Sequence, residues 1–216
     1  MDDATARAEV SRIGASLFSR GYVHGTTGNI SVRLSRGYLM TPTDACLGEL
    51  DPGQLALIDA DGTQLDGPQA SKAIALHRSI YEADPDAQCI IHTHSRETVI
   101  ASFEPRPPDA DLLPPITPYQ VMKVGSTPTI PYSAPGSPAT AAHVARLLTA
   151  RRKAGRLARS IMLARLGPNV WGPNPAAAMA ATEELEETAL IWNRLRPTPL
   201  SDAALADLAA RFGIRW

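Results

Sequence analysis

His92 and His94 stand one residue apart at the end of the apolar run Cys89-Ile90-Ile91. On a strand, side chains at i and i+2 share a face, so both imidazoles can converge on one ion at about 2.0–2.1 Å. The alternative is a pair of histidines hydrogen-bonded in a rim. Upstream, Gly25-Thr26-Thr27-Gly28-Asn29 gathers hydroxyls, an amide and backbone N–H groups in a segment whose small residues let donors approach an anion. By itself that segment reads as an ordinary polar turn. Thr41-Pro42-Thr43 and Ser71-Lys72 add further hydroxyls and one ammonium. Lys72 is one of only three lysines among 21 basic residues. It sits at the start of a helical pattern, the wrong end for a cation unless an anion is bound there.

Several elements must position these groups. Ala4, Val10, Ile13, Leu17 and Phe18 recur at helical spacing and predict an amphipathic helix over 4–19. Alternation over 30–34, the turn Ser35-Arg36-Gly37 and the segment 38–40 predict a hairpin, and 55–58 a third strand. A helix is expected over 70–83, then a buried strand over 89–91 leading into the histidines. Proline is dense from Pro105 to Pro118 and excludes regular structure over most of that stretch, which reads as a functional or interface loop. A helix over 138–150 and a buried strand over 160–164 follow. A long helix then runs from the N-cap Asn174, with Pro175 at its first position, to about 194, and a short one closes the chain at 201–212. Mixed strands and helices without an internal repeat or composition break predict one α/β domain over 1–216.

Composition bounds the partners. With 216 residues, 44% apolar and 20% charged, the chain can bury a sizeable core. A net charge of −1 argues against nucleic acid, and no apolar run approaches the roughly 20 residues of a membrane span. The acidic start Met1-Asp2-Asp3 and the two cysteines, Cys46 and Cys89, suit a cytoplasmic, reducing setting. The basic run Arg151-Arg152-Lys153 with Arg156 and Arg159 reads as cations at a helix C-terminus. Glu183, Glu184, Glu186 and Glu187 read as a solvated helix face, His143 has no partner in view, and Trp171, Trp192 and Trp216 read as packing or interface residues.

Taken together, residues 25–31, Leu39-Met40-Thr41-Pro42-Thr43, Ser71-Lys72 with His77, and Ile91-His92-Thr93-His94-Ser95 resemble the class II aldolase/adducin family in order and spacing. Thr117-Pro118-Tyr119 with Met122, Pro131-Tyr132 with Pro135-Gly136, and residues 182–188 are most similar to its 3-oxo-tetronate 4-phosphate decarboxylase branch. The resemblance runs from about residue 4 to 195. It implies a three-layer α/β/α fold with a mixed sheet, a homotetramer with active sites between subunits, and a divalent metal, typically zinc, that stabilises an enediolate. It implies a small phosphorylated or anionic hydroxy-keto substrate, cleaved at a carbon–carbon bond by decarboxylation or retro-aldol chemistry. Thr26, Asn29, Thr43, Ser71 and Lys72 match the phosphate pocket, and His92 and His94 the metal ligands. Tyr119 falls where the family supplies residues to the adjacent subunit and is the expected proton donor, with Lys72 the other catalytic candidate. Two positions depart from the pattern: the family's catalytic carboxylate is Ala73, and its third metal histidine is Leu166 in the turn Arg165-Leu166-Gly167. Two imidazoles alone hold zinc weakly, so the metal is expected to be weak or absent. Three outcomes follow: a recruited group such as His77 or His24 completes the site; Arg165 and Lys72 hold an anionic substrate for another proton-transfer reaction; or the protein is a non-catalytic assembly protein. His77 also has a simpler reading, a structural hydrogen bond.

Overall fold

The structure, a computed structural model, describes residues 1–156, 158–214 and 216. One eight-stranded sheet forms from β1 (Asn29–Leu34), β2 (Gly37–Met40), β3 (Ala56–Ile58), β4 (Gln64–Asp66), β5 (Cys89–His92), β6 (Thr129–Ile130), β7 (Ser160–Leu163) and β8 (Gly167–Gly172). Their order is β4-β3-β2-β1-β5-β8-β7-β6, antiparallel throughout except for the parallel pair β6–β7. The helices are α1 (Asp3–Ser19), α2 (Ile74–Ala83), α3 (Arg96–Ala101), α4 (Pro138–Lys153), α5 (Pro175–Leu195) and α6 (Asp202–Phe212).

Helices cover both faces. Ala6, Val10, Ile13 and Leu17 of α1 pack with Ile30, Val32, Cys89 and Ile91, and Ala181, Leu185 and Ala189 of α5 pack with Met162 and Val170. On the opposite face, Ile80 and Tyr81 of α2 and Val144 and Leu148 of α4 close over Ile90, Ile161 and Trp171. This is the three-layer α/β/α arrangement with a mixed sheet. Coverage on both sides explains why β5 is apolar at successive positions instead of alternating.

The caps agree with the local sequence. Asp2 accepts from Thr5 N at 2.9 Å to start α1, and Asn174 accepts from Ala177 N at 2.8 Å ahead of Pro175. The expected helix over 70–83 begins only at Ile74, because Ala70 bridges Pro42 and Ser71 N donates to the Thr41 carbonyl at 3.1 Å. Those bonds lay Ser71 and Lys72 beside Thr43.

Four elements carry too little local signal: β4, α3, β6 and β8. Gly167, Pro168, Asn169 and Gly172 are poor strand formers. β8 forms because it is buried throughout and paired on both sides, to β5 and β7. Two readings need correction. Glu186 is not on a solvated face: it is 5% exposed, and its carboxylate accepts from Glu97 N at 2.8 Å and Thr98 N at 3.0 Å, capping α3. His143 does have a partner, with Nε2 2.7 Å from Asp109 Oδ1. The basic run behaves as expected, Arg152 pairing with Asp84 and Arg151 with Asp111. No helix among the described residues is long and apolar enough to cross a membrane.

Candidate functional site

Two glycines fix the turns around the end of β5. At Gly28, φ is +82° and a Cβ would meet Val23 Cγ1 at 2.6 Å and the His92 carbonyl oxygen at 2.9 Å. At Gly167, φ is +153° and a Cβ would lie 1.9 Å from the Thr93 carbonyl oxygen. With side chains excluded at both, the 25–29 loop and the turn into β8 close directly on the histidine-bearing segment.

His92 is 5% exposed, and its Nδ1 lies 2.9 Å from the Pro168 carbonyl. A carbonyl only accepts, so Nδ1 carries the proton and the Nε2 lone pair is left for other partners. Burial, reinforced by neighbouring His94, lowers the His92 pKa to about 4 against the pull of the Pro168 carbonyl. The ring is therefore neutral at pH 7. His94 is half-buried, and burial followed by the charge of His24 lowers its pKa as well.

His77 is fully buried. Its Nδ1 lies 2.8 Å from Ser31 Oγ, which lies 2.8 Å from the Tyr81 hydroxyl. Burial, then His92, lowers the His77 pKa to about 3, with the Asn169 side chain acting in the other direction. This string of hydrogen bonds under the sheet is the structural role the sequence allowed for His77.

The rings of His92 and His94 have centroids 5.0 Å apart at 68°, and His24 stands edge-on to His94 at 6.4 Å. Two imidazoles bound to one tetrahedral ion at about 2.0–2.1 Å place their centroids about 5 Å apart, so the pair alone suits a shared ion. A third arm is missing. Among the described residues no group of three or more His, Cys, Asp or Glu could hold a metal, and Ala73 and Leu166 line the cavity with apolar side chains. The donor set does not fit a catalytic zinc with three protein ligands.

A cavity of about 440 Å³ opens in front of these residues, a size suited to a small metabolite. It brings together Thr26, Asn29, Thr43, Ser71, Lys72, His92 and His94. Lys72 is exposed at the mouth, just ahead of α2, where its ammonium and the helix N-terminus can both attract an anion. Thr43 Oγ1 donates to the Ala70 carbonyl at 2.9 Å, tying the two hydroxyl-bearing segments together.

Arg165 and Tyr119 do not line this cavity. The Arg165 backbone, at φ +66°, donates its N–H to Ser102 Oγ, and its guanidinium sits 5.2 Å from the centre of the Phe103 ring. Tyr119 is 61% exposed at the head of a π-helical turn, Gln120–Val124. Sequence reasoning missed Asp44, held at φ +56° on the rim, Thr140 and Asn169, and cited Tyr132 only as part of a motif, with no site role. The left-handed backbone of Asp44 suits its residue type, but only the folded chain shows the other three lining the same cavity as the histidines.

Residues 8–193 match the family model for the class II aldolase and adducin N-terminal domain. The chain is 45% identical to the 3-oxo-tetronate 4-phosphate decarboxylase of Cupriavidus necator, over 99% of both chains. The crystal structure of YgbL from Escherichia coli superposes with a TM-score of 0.87 at 35% identity, covering 95% of this chain and 98% of that one. The L-fuculose-1-phosphate aldolase of Thermus thermophilus superposes with a TM-score of 0.71 at 27% identity, covering 88% of this chain and 95% of that one. The eight-stranded mixed sheet, the cavity at the end of β5 and these matches agree on one conclusion: the chain belongs to the class II aldolase and adducin family.

Proposed function

We propose that this protein is a lyase that decarboxylates a small phosphorylated 3-oxo acid of the 3-oxo-tetronate 4-phosphate type. What carries the reading is the convergence of Lys72, Ser71, Thr26, Asn29 and Thr43 on the same cavity as His92 and His94, in a chain whose relative of 45% identity bears that activity in its name. Lys72, the Thr26 and Ser71 hydroxyls and the Asn29 amide hold the phosphate, while Thr43, its hydroxyl proton given to Ala70, braces the two segments; Lys72 also screens the charge of the substrate. Loss of CO₂ breaks the bond between the carboxyl carbon and its neighbour. The electron pair moves into a new carbon–carbon double bond, and the oxo group takes the negative charge as an enolate. A proton then returns to carbon, leaving a hydroxyketone phosphate. The neutral His92, with its free Nε2, accepts a hydrogen bond from the substrate hydroxyl and orients it.

Family resemblance points His92 and His94 to a divalent ion, typically zinc, but two imidazoles without a third arm do not fit it, and in this reading the one free lone pair of His92, at Nε2, serves the substrate hydroxyl. Because the third ligand is absent, no step is assigned to that ion. Arg165 takes no part in this reading, since its guanidinium is turned to Phe103. Tyr119 and the proline-rich loop serve the adjacent subunit of a homotetramer, with Tyr119 as proton donor there, and the setting is cytoplasmic.

The test is release of CO₂ from 3-oxo-tetronate 4-phosphate by purified protein, followed with bicarbonate-coupled detection and with zinc supplied and withheld. Turnover that disappears in a Lys72→Met variant supports the reading. Absence of turnover under both conditions refutes it in favour of a non-catalytic role.

A further inference from the structure

Strand register puts three side chains in a row facing the cavity. Asn29 of β1 pairs with His92 of β5, and His92 pairs with Asn169 of β8. Directly opposed residues on neighbouring strands point to the same face, so two carboxamides flank one imidazole. Asn169 is 1% exposed, and among the described residues its amide has no polar neighbour in bonding range beyond the His77 ring, while Asn29 Oδ1 has no partner. Burying an amide without a full set of partners is costly, so such a group in a native protein calls for a partner, a water or a bound ligand among them. The His77 ring, whose Nδ1 is taken by Ser31, meets the Asn169 amide through Nε2. That single ring nitrogen can satisfy at most one of the two amide atoms. The other faces the cavity that Asn169 lines.

The row also has a polarity. His92 donates Nδ1–H to the Pro168 carbonyl and so presents a bare acceptor at Nε2. The Asn169 bond favours the protonated His77 ring, so Oδ1 is the atom turned to His77 and Nδ2 presents a donor beside His92. An acceptor next to a donor matches a hydroxyl next to a carbonyl or carboxyl oxygen: the hydroxyl donates to His92, and the oxygen accepts from Asn169.

We propose that Asn169 is a ligand-binding residue that recognises the hydroxy-carbonyl end of the substrate. This rests on the phosphate reading above, with Lys72 and its neighbours holding the other end. No charge is needed at residue 169, because the amide donor is fixed by the sheet and meets the oxygen without reorganisation.

D-3-Phosphoglycerate, which carries a phosphate at one end and a hydroxyl beside a carboxylate at the other, is the probe, with inorganic phosphate as its control. In calorimetric titration the wild type binds phosphoglycerate at least roughly tenfold more tightly than phosphate, the gain of one hydrogen bond to a charged group. In Asn169→Leu, phosphate affinity is unchanged and the preference for phosphoglycerate falls to about threefold or less. A variant that keeps the full preference overturns the proposal while leaving the phosphate reading intact, as does a wild type without any preference. A wild type that binds neither probe removes the phosphate reading and this inference together. Should Asn169→Leu fail to fold, the side-chain ¹⁵NH₂ resonance of Asn169 in the wild type decides. It shifts with phosphoglycerate and not with phosphate if the amide contacts the ligand, and an unchanged resonance with both overturns the contact.

Discussion

Replacing Leu166 with histidine should turn a two-imidazole pair into a three-imidazole zinc site. The pair already has the right spacing, with centroids 5.0 Å apart. Residue 166 lines the same cavity as the histidines, in a tight turn between Arg165 at φ +66° and Gly167 at φ +153°. Structural zinc sites with four ligands bind with about 10–16 kcal/mol, so each ligand contributes on the order of 3 kcal/mol. Leu166→His should therefore tighten zinc binding by roughly 100-fold. Leu166 is only half-buried, so the exchange should leave the fold intact. Competition against a zinc-binding dye at pH 7.5 measures both proteins on one scale. If wild type and variant agree within about threefold, the reasoning fails, since the pair either already has a third ligand or does not share an ion. Adding Ala73→Glu, which places a carboxylate at the N-cap of α2 where the dipole favours it, should then raise lyase turnover above that of Leu166→His alone.

Other consequences are independent of metal. Lys72→Met should weaken inorganic phosphate binding by roughly 10-fold or more, with a shallower salt dependence, by calorimetry at two ionic strengths; an unchanged constant would place the anion elsewhere. His77 is neutral when buried, with a pKa of about 3 against an ordinary 6.5. Above pH 6.5 neither the folded nor the unfolded chain protonates it, so it costs nothing there. As pH falls below that, only the unfolded chain takes up the proton, and stability drops by about 1.4 kcal/mol per pH unit until about pH 3. His77→Asn should remove that loss, so urea midpoints measured between pH 6 and 4 should fall less steeply than in the wild type, and parallel slopes would contradict the assignment. Gly167→Ala forces a Cβ to within 1.9 Å of the Thr93 carbonyl oxygen. It should cost about 3 kcal/mol or more in denaturant unfolding and shift the His94 ring resonances, whereas a neutral effect would mean the turn can move freely.

Much of the site was legible locally. The spacing of His92 and His94 at the end of an apolar run, the small-residue loop holding Thr26 and Asn29, and Lys72 at a helix start are statements about neighbours in sequence. Strand and helix periodicities set those neighbours on predictable faces. The helices α1, α4, α5 and α6 were likewise readable from caps and spacing, because the physics of a cap acts over three or four residues. The losses at Ala73 and Leu166 were also visible, since each needs only a residue type at an aligned position.

What the sequence left open depends on partners far along the chain. Asn169 meets His92 only because β8 pairs with β5 across more than seventy residues, and its glycines and proline argue against a strand until that pairing buries them. Glu186 looks solvated until the short helix α3 docks its unsatisfied N–H groups on it, 88 and 89 residues away. Arg165 opens the turn that carries the family's third histidine and so was a candidate to hold an anion, but a left-handed backbone and the face of Phe103 take its side chain elsewhere. Residue types and short spacings determined which chemistry was available; the register of a sheet closed by distant strands decided which of those groups share a cavity, because hydrogen-bond pairing and burial are settled between segments and not within them.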